Sequence, residues 1–540
     1  MNAPLPPPIL APGRSAAHPP GMSTADTAEP PTVMVGVGPL DPAAVLAVAR
    51  FGARVELDPA AVAGMAATRL IIDALAEDPH PHYGISTGFG ALATVSIEPT
   101  RRAALQLSLI RSHAAGSGAV TATEVVRAMT LLRLSTLATG RTGVRPATAQ
   151  AYADLLNAGI TPVVGEYGSL GCSGDLAPLA AVALTLLGEG EALVAGGRID
   201  SGTALAQAGL APLRLAEKEG LALINGTDGM LGMLVLALND LADLLDAADL
   251  AAAMSVEALL GTDRVFAADL AALRPQHGQQ VSAARITTAL AGSPLVASHA
   301  GPQDTRVQDA YSLRCAPAVH GAARDTVAHA GRVAGRELAS AIDNPVITTD
   351  GRVESNGNFH GAPIAAVLDF LAISAADVAG ICERRTDRML DASRSHGLPP
   401  FLAHEVGVDS GHMIAQYTQA GIVAELKRLA VPASVDSIPS SAMQEDHVSM
   451  GWHAGVKLRR SVDGLRRVVA VEILTAARAL DLRAPLRPGP FTGAARDVVR
   501  TRVPGPGPDR HLGPEIDAVV ELLAAGAFTG LLPTTPEENR

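Results

Sequence analysis

This chain of 540 residues carries 42 lysines and arginines against 54 aspartates and glutamates, which gives a formal net charge of −12. The acidic balance argues against a general nucleic-acid binder and against a protein of anionic membrane surfaces, because both usually need basic patches. Hydrophobic residues make up 48% of the chain but aromatic residues only 3%, a composition that favours closely packed helices rich in Ala, Leu and Val.

The first predicted unit, residues 1–31, contains nine of the 38 prolines and has no apolar periodicity. Such a segment buries too little apolar surface to offset its conformational entropy, so a disordered extension is expected. From residue 32 to 76 a short β-like stretch leads into amphipathic helices, and glycines then mark residues 82–94 as a loop. Helical periodicity resumes over residues 101–113. Thr121-Ala-Thr-Glu124 has the spacing of a capping box ahead of the next helix.

Two longer helices are predicted over residues 227–260 and 363–389, where apolar residues recur at helical spacing with few Gly or Pro interruptions. Helices of this length point to a bundle, and there is no internal repeat and no alternation of strands with helices. The predicted fold class is mainly α, a large bundle of long helices with a smaller N-terminal helical region that carries active-site loops. The expected units after the extension are residues 32–225, 226–485 and a C-terminal helical segment, 486–540.

The cysteines and the lengths of the apolar runs indicate in which cellular compartment the protein is expected. Cys172, Cys315 and Cys382 have no Cys-x-x-Cys spacing, which excludes a disulfide framework and a thiolate zinc site and fits a reducing compartment. The longest uncharged apolar run, residues 176–188, is shorter than the roughly 18 residues that a membrane helix needs. No secretory signal pattern begins the chain. A cytoplasmic location is therefore expected, with no membrane and no nucleic acid as a partner.

One segment interrupts the helical pattern more strongly than any other, Gly168-Ser-Leu-Gly-Cys-Ser-Gly-Asp-Leu-Ala-Pro178. The simplest interpretation is a flexible loop in which Asp175 caps the following helix. A nucleophile elbow is disfavoured, because the order is Gly-Cys-Ser-Gly and no predicted strand precedes it. A phosphate-binding loop is disfavoured as well, because the segment has no lysine.

The stretch Gly171-Cys-Ser-Gly-Asp-Leu-Ala-Pro-Leu179 resembles the signature of the aromatic amino acid ammonia-lyases. The resemblance extends from about Val33 to about Arg483, and motifs similar to those of the family follow in the expected order. They are Tyr83-Gly-Ile-Ser-Thr-Gly-Phe-Gly90, Asn225-Gly-Thr227, Gln308-Asp-Ala-Tyr-Ser-Leu-Arg314, Asn358-Phe-His360 and Gln444-Glu-Asp-His-Val-Ser-Met450. One such motif would be weak support, whereas the ordered set around the tripeptide is specific.

The resemblance implies a prosthetic group made from the chain itself. In the family an Ala-Ser-Gly tripeptide cyclises and dehydrates to 4-methylidene-imidazol-5-one. Here the nitrogen of Gly174 would attack the carbonyl of Cys172, and loss of water from Ser173 would create the methylidene carbon. The chain has Cys172 where the family commonly has Ala, but this side chain stays outside the ring. No external cofactor and no metal are expected.

The resemblance also assigns roles to residues of the other motifs. Tyr311 is expected to be the base that removes the β-proton, and Arg314 to bind the substrate carboxylate. Tyr83 is expected beside the electrophile, where it would orient the amine or transfer protons. The remaining positions are expected to orient or pack the substrate: Asn225, Gln308 and Phe359. A homotetramer with active sites shared between subunits is implied.

Two positions bear on the choice of substrate. The pair Ser112-His113 resembles the selectivity pair of the histidine-specific members. At the same position the phenylalanine lyases typically have Phe-Leu, and the tyrosine lyases have His-Leu. A His can hydrogen-bond to an imidazole, and Glu445 could anchor an imidazole N–H by a charge-assisted hydrogen bond. The simpler alternatives are that His113 satisfies a backbone carbonyl and that Glu445 caps a helix.

The expected activity is therefore elimination of ammonia from L-histidine to give trans-urocanate, the first step of histidine degradation. Two alternatives stay open. One is a tyrosine or phenylalanine ammonia-lyase, or a 2,3-aminomutase with the same prosthetic group. The other is an inactive helical scaffold, which the intact tripeptide together with Tyr83, Tyr311 and Arg314 disfavours.

Overall fold

The computed structural model describes residues 32–88, 90–301 and 307–539. The predicted disordered extension, residues 1–31, lies outside these described residues. The described chain is mainly helical with a few short strands, so the predicted fold class is confirmed.

The N-terminal part combines short helices with small sheets. Helices α1 and α2 each begin at a proline, and the aspartate before it accepts the backbone N–H two residues along the chain, as helix N-termini favour. The helices of this part are α1 (Pro42–Phe51), α2 (Pro59–Glu77), α3 (Arg102–His113), α4 (Thr123–Ala138), α5 (Pro146–Asn157), α6 (Leu176–Leu186), α7 (Ser201–Gln207) and α8 (Glu219–Ala222).

Most of the described strands lie in the same part of the chain. Strands β1 and β2 pair in parallel with Val33 opposite Val55, and α1 connects them, so strands and helices do alternate here, contrary to the expectation. The strands are β1 (Thr32–Val35), β2 (Arg54–Leu57), β3 (Ser117–Val120), β4 (Thr161–Pro162), β5 (Gly165–Tyr167), β6 (Glu191–Val194), β7 (Gly197–Asp200), β8 (Val346–Ile347) and β9 (Val353–Glu354). The pairs β3–β5 and β8–β9 form two-stranded sheets, and β4, β6 and β7 form a third sheet in that order, all antiparallel.

The predicted capping box at Thr121–Glu124 is wrong. Helix α4 does begin at Thr123, but its N-cap residue is Ala122, which has no side chain that could accept a hydrogen bond. The hydroxyl of Thr121 is buried and has no hydrogen-bond partner among the described residues. The helix is held instead by burial, because almost all of its residues between Val125 and Ala138 lie in the core.

The long helices form the bundle that was predicted. Helix α17 packs against α9, α15 and α16, and its segment Val468–Leu480 is buried on all sides. The helices of this part are α9 (Asp228–Ala258), α10 (Ala268–Ala272), α11 (His277–Leu290), α12 (Pro294–Ala297), α13 (Tyr311–Arg314), α14 (Ala316–Leu338), α15 (Ala362–Leu390), α16 (Met413–Leu429), α17 (Gly451–Leu482), α18 (Pro490–Arg500) and α19 (Leu512–Ala524). Helices α3, α9 and α15 confirm the corresponding predictions to within two residues at each end.

Two described helices, α2 and α15, are long and apolar enough to cross a membrane by length and composition alone. Most of the apolar stretch of α15 is buried against α14, α16 and α17. In α2 the buried Arg69 donates to the carbonyl oxygens of Gly143 and Glu217 at 3.3 and 2.9 Å. Both helices therefore have protein partners in this fold.

Candidate active site

The loop that carries the tripeptide lies where several helices begin. Helix α6 follows the loop directly, and the N–H of Gly361, next to the start of α15, donates to the carbonyl of Gly171 at 3.2 Å. Met450, next to the start of α17, donates to the carbonyl of Leu170 at 2.8 Å. Because helix N-termini carry partial positive charge, the loop lies in a region that favours negative charge on a bound molecule.

Gly174, the third residue of the tripeptide, occupies a position that only glycine fits. Its φ is +74°, and a Cβ there would overlap the carbonyl oxygen of Gly226. The same carbonyl accepts the N–H of Asp175 at 2.7 Å, which fixes the two segments against each other. The Gly226 segment leads directly into α9. Gly174 therefore adopts a left-handed backbone conformation in which no side chain would fit.

Asn225 holds the serine of the tripeptide. Its Nδ2 donates to Ser173 Oγ at 3.1 Å, and its own carbonyl accepts from Arg133 Nη1 at 2.7 Å. Asn225 is buried, and its Oδ1 has no hydrogen-bond partner among the described residues. A buried amide oxygen without a donor is costly, so this atom is suited to accept from a bound group.

Glu445 lies against the first residue of the tripeptide. Its Oε2 accepts from the Cys172 thiol at 3.5 Å and from Ser440 Oγ at 2.6 Å. Burial and the nearby Glu445 carboxylate raise the pKa of the Cys172 thiol to about 12, so the thiol stays protonated and donates. The alternative that Glu445 caps a helix is not supported by these contacts, because its carboxylate oxygen faces the thiol and the hydroxyl.

Asp175 stands at the N-cap position of α6, as predicted, but its side chain makes no capping hydrogen bond to that helix. It is fully buried, and its carboxylate accepts from Ser169 Oγ at 3.0 Å and from the Met230 N–H in the first turn of α9 at 2.9 Å. The aspartate therefore caps α9 and joins it to the loop. Burial raises the pKa of this carboxyl to about 7.

Tyr83 lies on a second loop, which packs against the segment before Asn225. The Tyr83 hydroxyl accepts the N–H of Gly90 at 3.3 Å, and Gly84 packs on Leu221 of α8. Burial raises the pKa of the phenol, and the negative charge of Glu445 adds to the shift. Tyr83 therefore remains a neutral hydroxyl over a wide pH range.

The selectivity pair lies at the end of α3. His113 Nδ1 is 2.9 Å from the carbonyl of Leu109, so this nitrogen carries the proton and the neutral ring keeps Nε2 as an acceptor. Ser112 is exposed, and its hydroxyl bonds to the same carbonyl at 3.0 Å. His113 therefore does satisfy a backbone carbonyl, as the simpler alternative expects, but it uses only Nδ1 to do so and leaves Nε2 available. The chain after α3 reaches the tripeptide loop, where Gly116 packs on Gly168.

Phe359 lies in the loop before α15 and is half-buried. The next residue, His360, has its Nε2 3.2 Å from the carbonyl of His447, and the two rings stack with centroids 5.7 Å apart. This stacking brings the segment of Phe359 alongside the segment that contains Glu445.

Gln308, Tyr311 and Arg314 lie elsewhere in the chain. Their segment is attached beyond the C-terminal end of α9, where Asp309 Oδ2 accepts the N–H of Thr262 at 2.8 Å. Ser173 and Asn225, by contrast, lie at the N-terminal end of α9. A helix of 31 residues at 1.5 Å per residue spans about 46 Å, so the two groups are roughly one helix length apart.

The remote group is exposed to solvent. The Tyr311 side chain is 71% exposed, and the Arg314 guanidinium lies 4.7 Å from the centre of its ring. The Nε of Arg314 is buried without a hydrogen-bond partner among the described residues, and Gln308 is exposed. Within one chain, these three residues are not brought to the tripeptide.

Known proteins resemble this chain over most of its length. The model of the family described as aromatic amino acid lyase matches residues 40–501. The histidine ammonia-lyase of Streptomyces coelicolor is 63% identical over 499 residues, which cover 92% of this chain and 97% of that protein. The tyrosine aminomutase of Streptomyces globisporus has a solved structure with a TM-score of 0.87 and 37% identity, covering 93% of this chain and 98% of that one. The solved histidine ammonia-lyase of Trypanosoma cruzi gives a TM-score of 0.86 and 37% identity, covering 94% and 96%. The chain belongs to the aromatic amino acid lyase family.

Proposed function

We propose that this chain is an ammonia-lyase that converts L-histidine to trans-urocanate and ammonia, the first step of histidine degradation. Two relatives that are 63% identical to this chain over nearly their full length are histidine ammonia-lyases. The observation that carries the proposal is the position of Glu445, whose carboxylate reaches Cys172 in the tripeptide. A carboxylate beside the reacting centre suits an imidazole N–H and penalises an apolar ring.

The prosthetic group proposed is 4-methylidene-imidazol-5-one from Cys172, Ser173 and Gly174. In its formation the Gly174 nitrogen bonds to the Cys172 carbonyl carbon and one water leaves, and Ser173 loses its hydroxyl and α-hydrogen as a second water. The left-handed Gly174 fits such a group, and so does Asn225 Oδ1, which has no hydrogen-bond partner in the parts of the chain that the structure describes. Once formed, it supplies an electrophilic carbon that makes the substrate amine a better leaving group.

The chain's own side chains would bind the substrate and move its protons. Arg314 presents a planar fork for the substrate carboxylate, and its positive charge near the Tyr311 ring would stabilise a phenolate that takes the β-proton. Tyr83, kept neutral by burial, would donate a hydrogen bond to the amine or transfer a proton to it. Asn225 and Gln308 would orient polar groups of the substrate, and Phe359 would pack against its ring.

The imidazole would be recognised by the pair Ser112-His113 and by Glu445. Because His113 Nδ1 donates to a backbone carbonyl, its Nε2 can accept an N–H from the substrate ring. Glu445 offers a charged acceptor on the tripeptide side, so the two acceptors together suit an imidazole that carries an N–H on both ring nitrogens. Both contacts would be lost with a phenyl ring.

A homotetramer with shared active sites is part of the proposal. Helix α9, about 46 Å long, lies between Ser173 and the Tyr311 turn, so a second copy would supply the group that one chain lacks at each site. Exposed apolar side chains on α16 and the segment after it support contacts with other copies: Ile414, Tyr417, Val431, Val435 and Ile438. A cytoplasmic location, without membrane or nucleic-acid partners, completes the proposal.

A substrate panel tests the function against its alternatives. The solved tyrosine aminomutase at 37% identity makes tyrosine the strongest competing substrate. Purified chain is incubated with L-histidine, L-tyrosine or L-phenylalanine, and absorbance and product chromatography report the α,β-unsaturated acid or the β-amino acid. Urocanate as the main product supports the proposal. A preference for tyrosine or phenylalanine, or a β-amino acid product, would assign the alternative activity.

We expect Cys172→Ala to keep the activity of the chain or to raise it slightly. The thiol lies outside the ring that would form, and its hydrogen bond to Glu445 is long at 3.5 Å. The measurement is kcat/KM for histidine. A loss greater than about tenfold, which is about 1.4 kcal/mol of barrier, would instead assign the thiol a role in holding Glu445.

We expect His113→Leu combined with Glu445→Gln to shift preference from histidine toward phenylalanine. The double variant removes polar contacts worth about 1–3 kcal/mol each to an imidazole, and it removes the penalty of leaving them unpaired against a phenyl ring. The measurement is the ratio of kcat/KM for the two amino acids. An unchanged ratio, with the tripeptide still modified, would show that other residues determine the selectivity.

A further inference from the structure

We infer that Arg385 and Glu472 form a positioning pair that holds the turn carrying Tyr311 and Arg314 in place. The inference rests on the proposed function, because the importance of that turn follows from the roles of its tyrosine and arginine. Arg385 lies on α15 and Glu472 on α17, and both side chains are fully buried. Neither residue belongs to any of the family motifs in the sequence.

The turn that carries Tyr311 and Arg314 is short. Helix α13 has only four residues, and a single turn forms too few hydrogen bonds to be stable alone. Its C-terminal end passes through Cys315 into α14, which fixes that end of the turn. The preceding Val307 is 97% exposed, so the approach to the turn has little packing. The turn is attached through the buried Leu313 side chain, through the Asp309 carboxylate before it, and through the carbonyl of Ser312. The carbonyl contact lies between the tyrosine and the arginine.

Arg385 makes that carbonyl contact. Its Nη1 donates to the Ser312 carbonyl at 3.3 Å, while Nε and Nη2 bond to the two carboxylate oxygens of Glu472 at 2.5 and 3.0 Å. A guanidinium is planar, so a carboxylate that engages two of its nitrogens also fixes the direction of the third. Glu472 therefore determines where Arg385 holds the turn.

The pair is embedded in a buried polar network that joins several helices. Glu472 Oε1 also accepts from Ser255 Oγ of α9 at 2.8 Å. On the other side, Arg385 Nη2 is 3.5 Å from Nε2 of His320 on α14, whose Nδ1 donates to Asp249 at 2.7 Å. Through these hydrogen bonds, α9, α14, α15 and α17 together hold the turn in position.

Stability alone does not explain a charged pair at this place. A buried ion pair in an Ala-, Leu- and Val-rich core usually adds little stability relative to apolar side chains, because both charges lose their hydration. Apolar residues, however, could not hold a backbone carbonyl in a fixed direction. The contact with Ser312 gives the pair a function that packing cannot replace.

The test compares Arg385→Lys with wild type in the purified full-length chain. Lysine keeps the charge opposite Glu472, but its single ammonium lacks the fork that reaches the carboxylate and the Ser312 carbonyl together. We expect a melting temperature close to wild type, a raised KM for histidine, and kcat/KM lowered about tenfold or more. We also expect faster hydrogen–deuterium exchange in residues 307–315, with exchange in residues 168–178 unchanged.

Leu474→Ala is the matched control. Leu474 is buried on the same helix as Glu472, and its truncation destabilises the core without touching the Ser312 contact. We expect a lower melting temperature with an unchanged KM. An equal rise in KM in this variant would overturn the inference, because general destabilisation would then explain the effect.

Wild-type KM and wild-type exchange at residues 307–315 in Arg385→Lys would also overturn it. If Arg385→Lys does not fold, Glu472→Gln keeps the shape of the acid and removes its charge, and the same two outcomes apply. The two readouts separate this inference from the proposed function. A wild-type chain without histidine turnover would refute the function, while the exchange of residues 307–315 would still report whether Arg385 holds the turn.

Discussion

Ser173→Ala should lower kcat/KM for histidine by about 10³-fold or more, which corresponds to about 4 kcal/mol of transition-state stabilisation. The Ser173 hydroxyl is the group from which the methylidene carbon would form, and alanine cannot lose water. The hydrogen bond from Asn225 is the contact that the structure shows for this hydroxyl, so the variant should fold normally. Circular dichroism and the melting temperature check the fold, and urocanate absorbance measures the activity.

The matched control is Ser201→Ala. Ser201 is also buried and bonds to Thr185 Oγ1 at 3.3 Å, but it lies on α7, outside the tripeptide loop. Its loss should leave turnover within about threefold of wild type, as for most substitutions remote from a site. Near wild-type turnover in Ser173→Ala would refute the mechanism, because no other serine of the loop occupies the central position of the tripeptide.

Mixing two inactive variants should restore activity. Ser173→Ala damages the group at the N-terminal end of α9, and Tyr311→Phe damages the group at its other end. If each active site takes the two groups from different chains, about one quarter of the sites in random mixed assemblies are intact. The measurement is histidine turnover by co-expressed variants, compared with each variant expressed alone.

Asn225→Ala provides the control for this experiment. Asn225 contacts Ser173 within the same chain, so Ser173→Ala mixed with Asn225→Ala leaves every site with one defect. We expect no recovery in that mixture. If the Ser173→Ala and Tyr311→Phe mixture also stays inactive while mixed assemblies are shown to form, each chain must build its own complete site, and the shared-site proposal is wrong.

Helical periodicity predicted the parts of the fold in which one pattern runs over several turns. Helices α9 and α15 were predicted because their apolar positions recur over about 30 residues, which averages out local exceptions. The strands of two to four residues are too short to show a period, and the parallel pair β1–β2 was therefore not predicted. The capping box at Thr121 failed because burial, which a local motif does not report, determines where α4 begins.

The order of motifs predicted which residues matter but not where each of them lies. Nothing in the sequence reports that Asn225 reaches Ser173 or that the Asp175 side chain accepts a hydrogen bond from the first turn of α9 and none from α6. The distance from Ser173 to the Tyr311 turn follows from the length of α9, which became known only with the fold.

The pair Arg385–Glu472 was missed, although a signal was present. Glu472 stands in the otherwise apolar stretch Val468–Leu474, and a charged residue in such a stretch indicates a buried partner. Arg385 of α15 is also a buried charge. It does not stand out in the sequence, because both of its neighbours are polar or charged. A search for isolated charges in buried helices would have found the acid first.

The mass of the tripeptide tests the central claim most directly. The proteolytic fragment of the purified chain that contains residues 172–174 is weighed by mass spectrometry beside the same fragment from Ser173→Ala. The account predicts a wild-type fragment that is lighter than its sequence by two water molecules, and a variant fragment that has not lost the second water. A wild-type fragment at its full sequence mass, in a preparation that converts histidine to urocanate, would contradict the account.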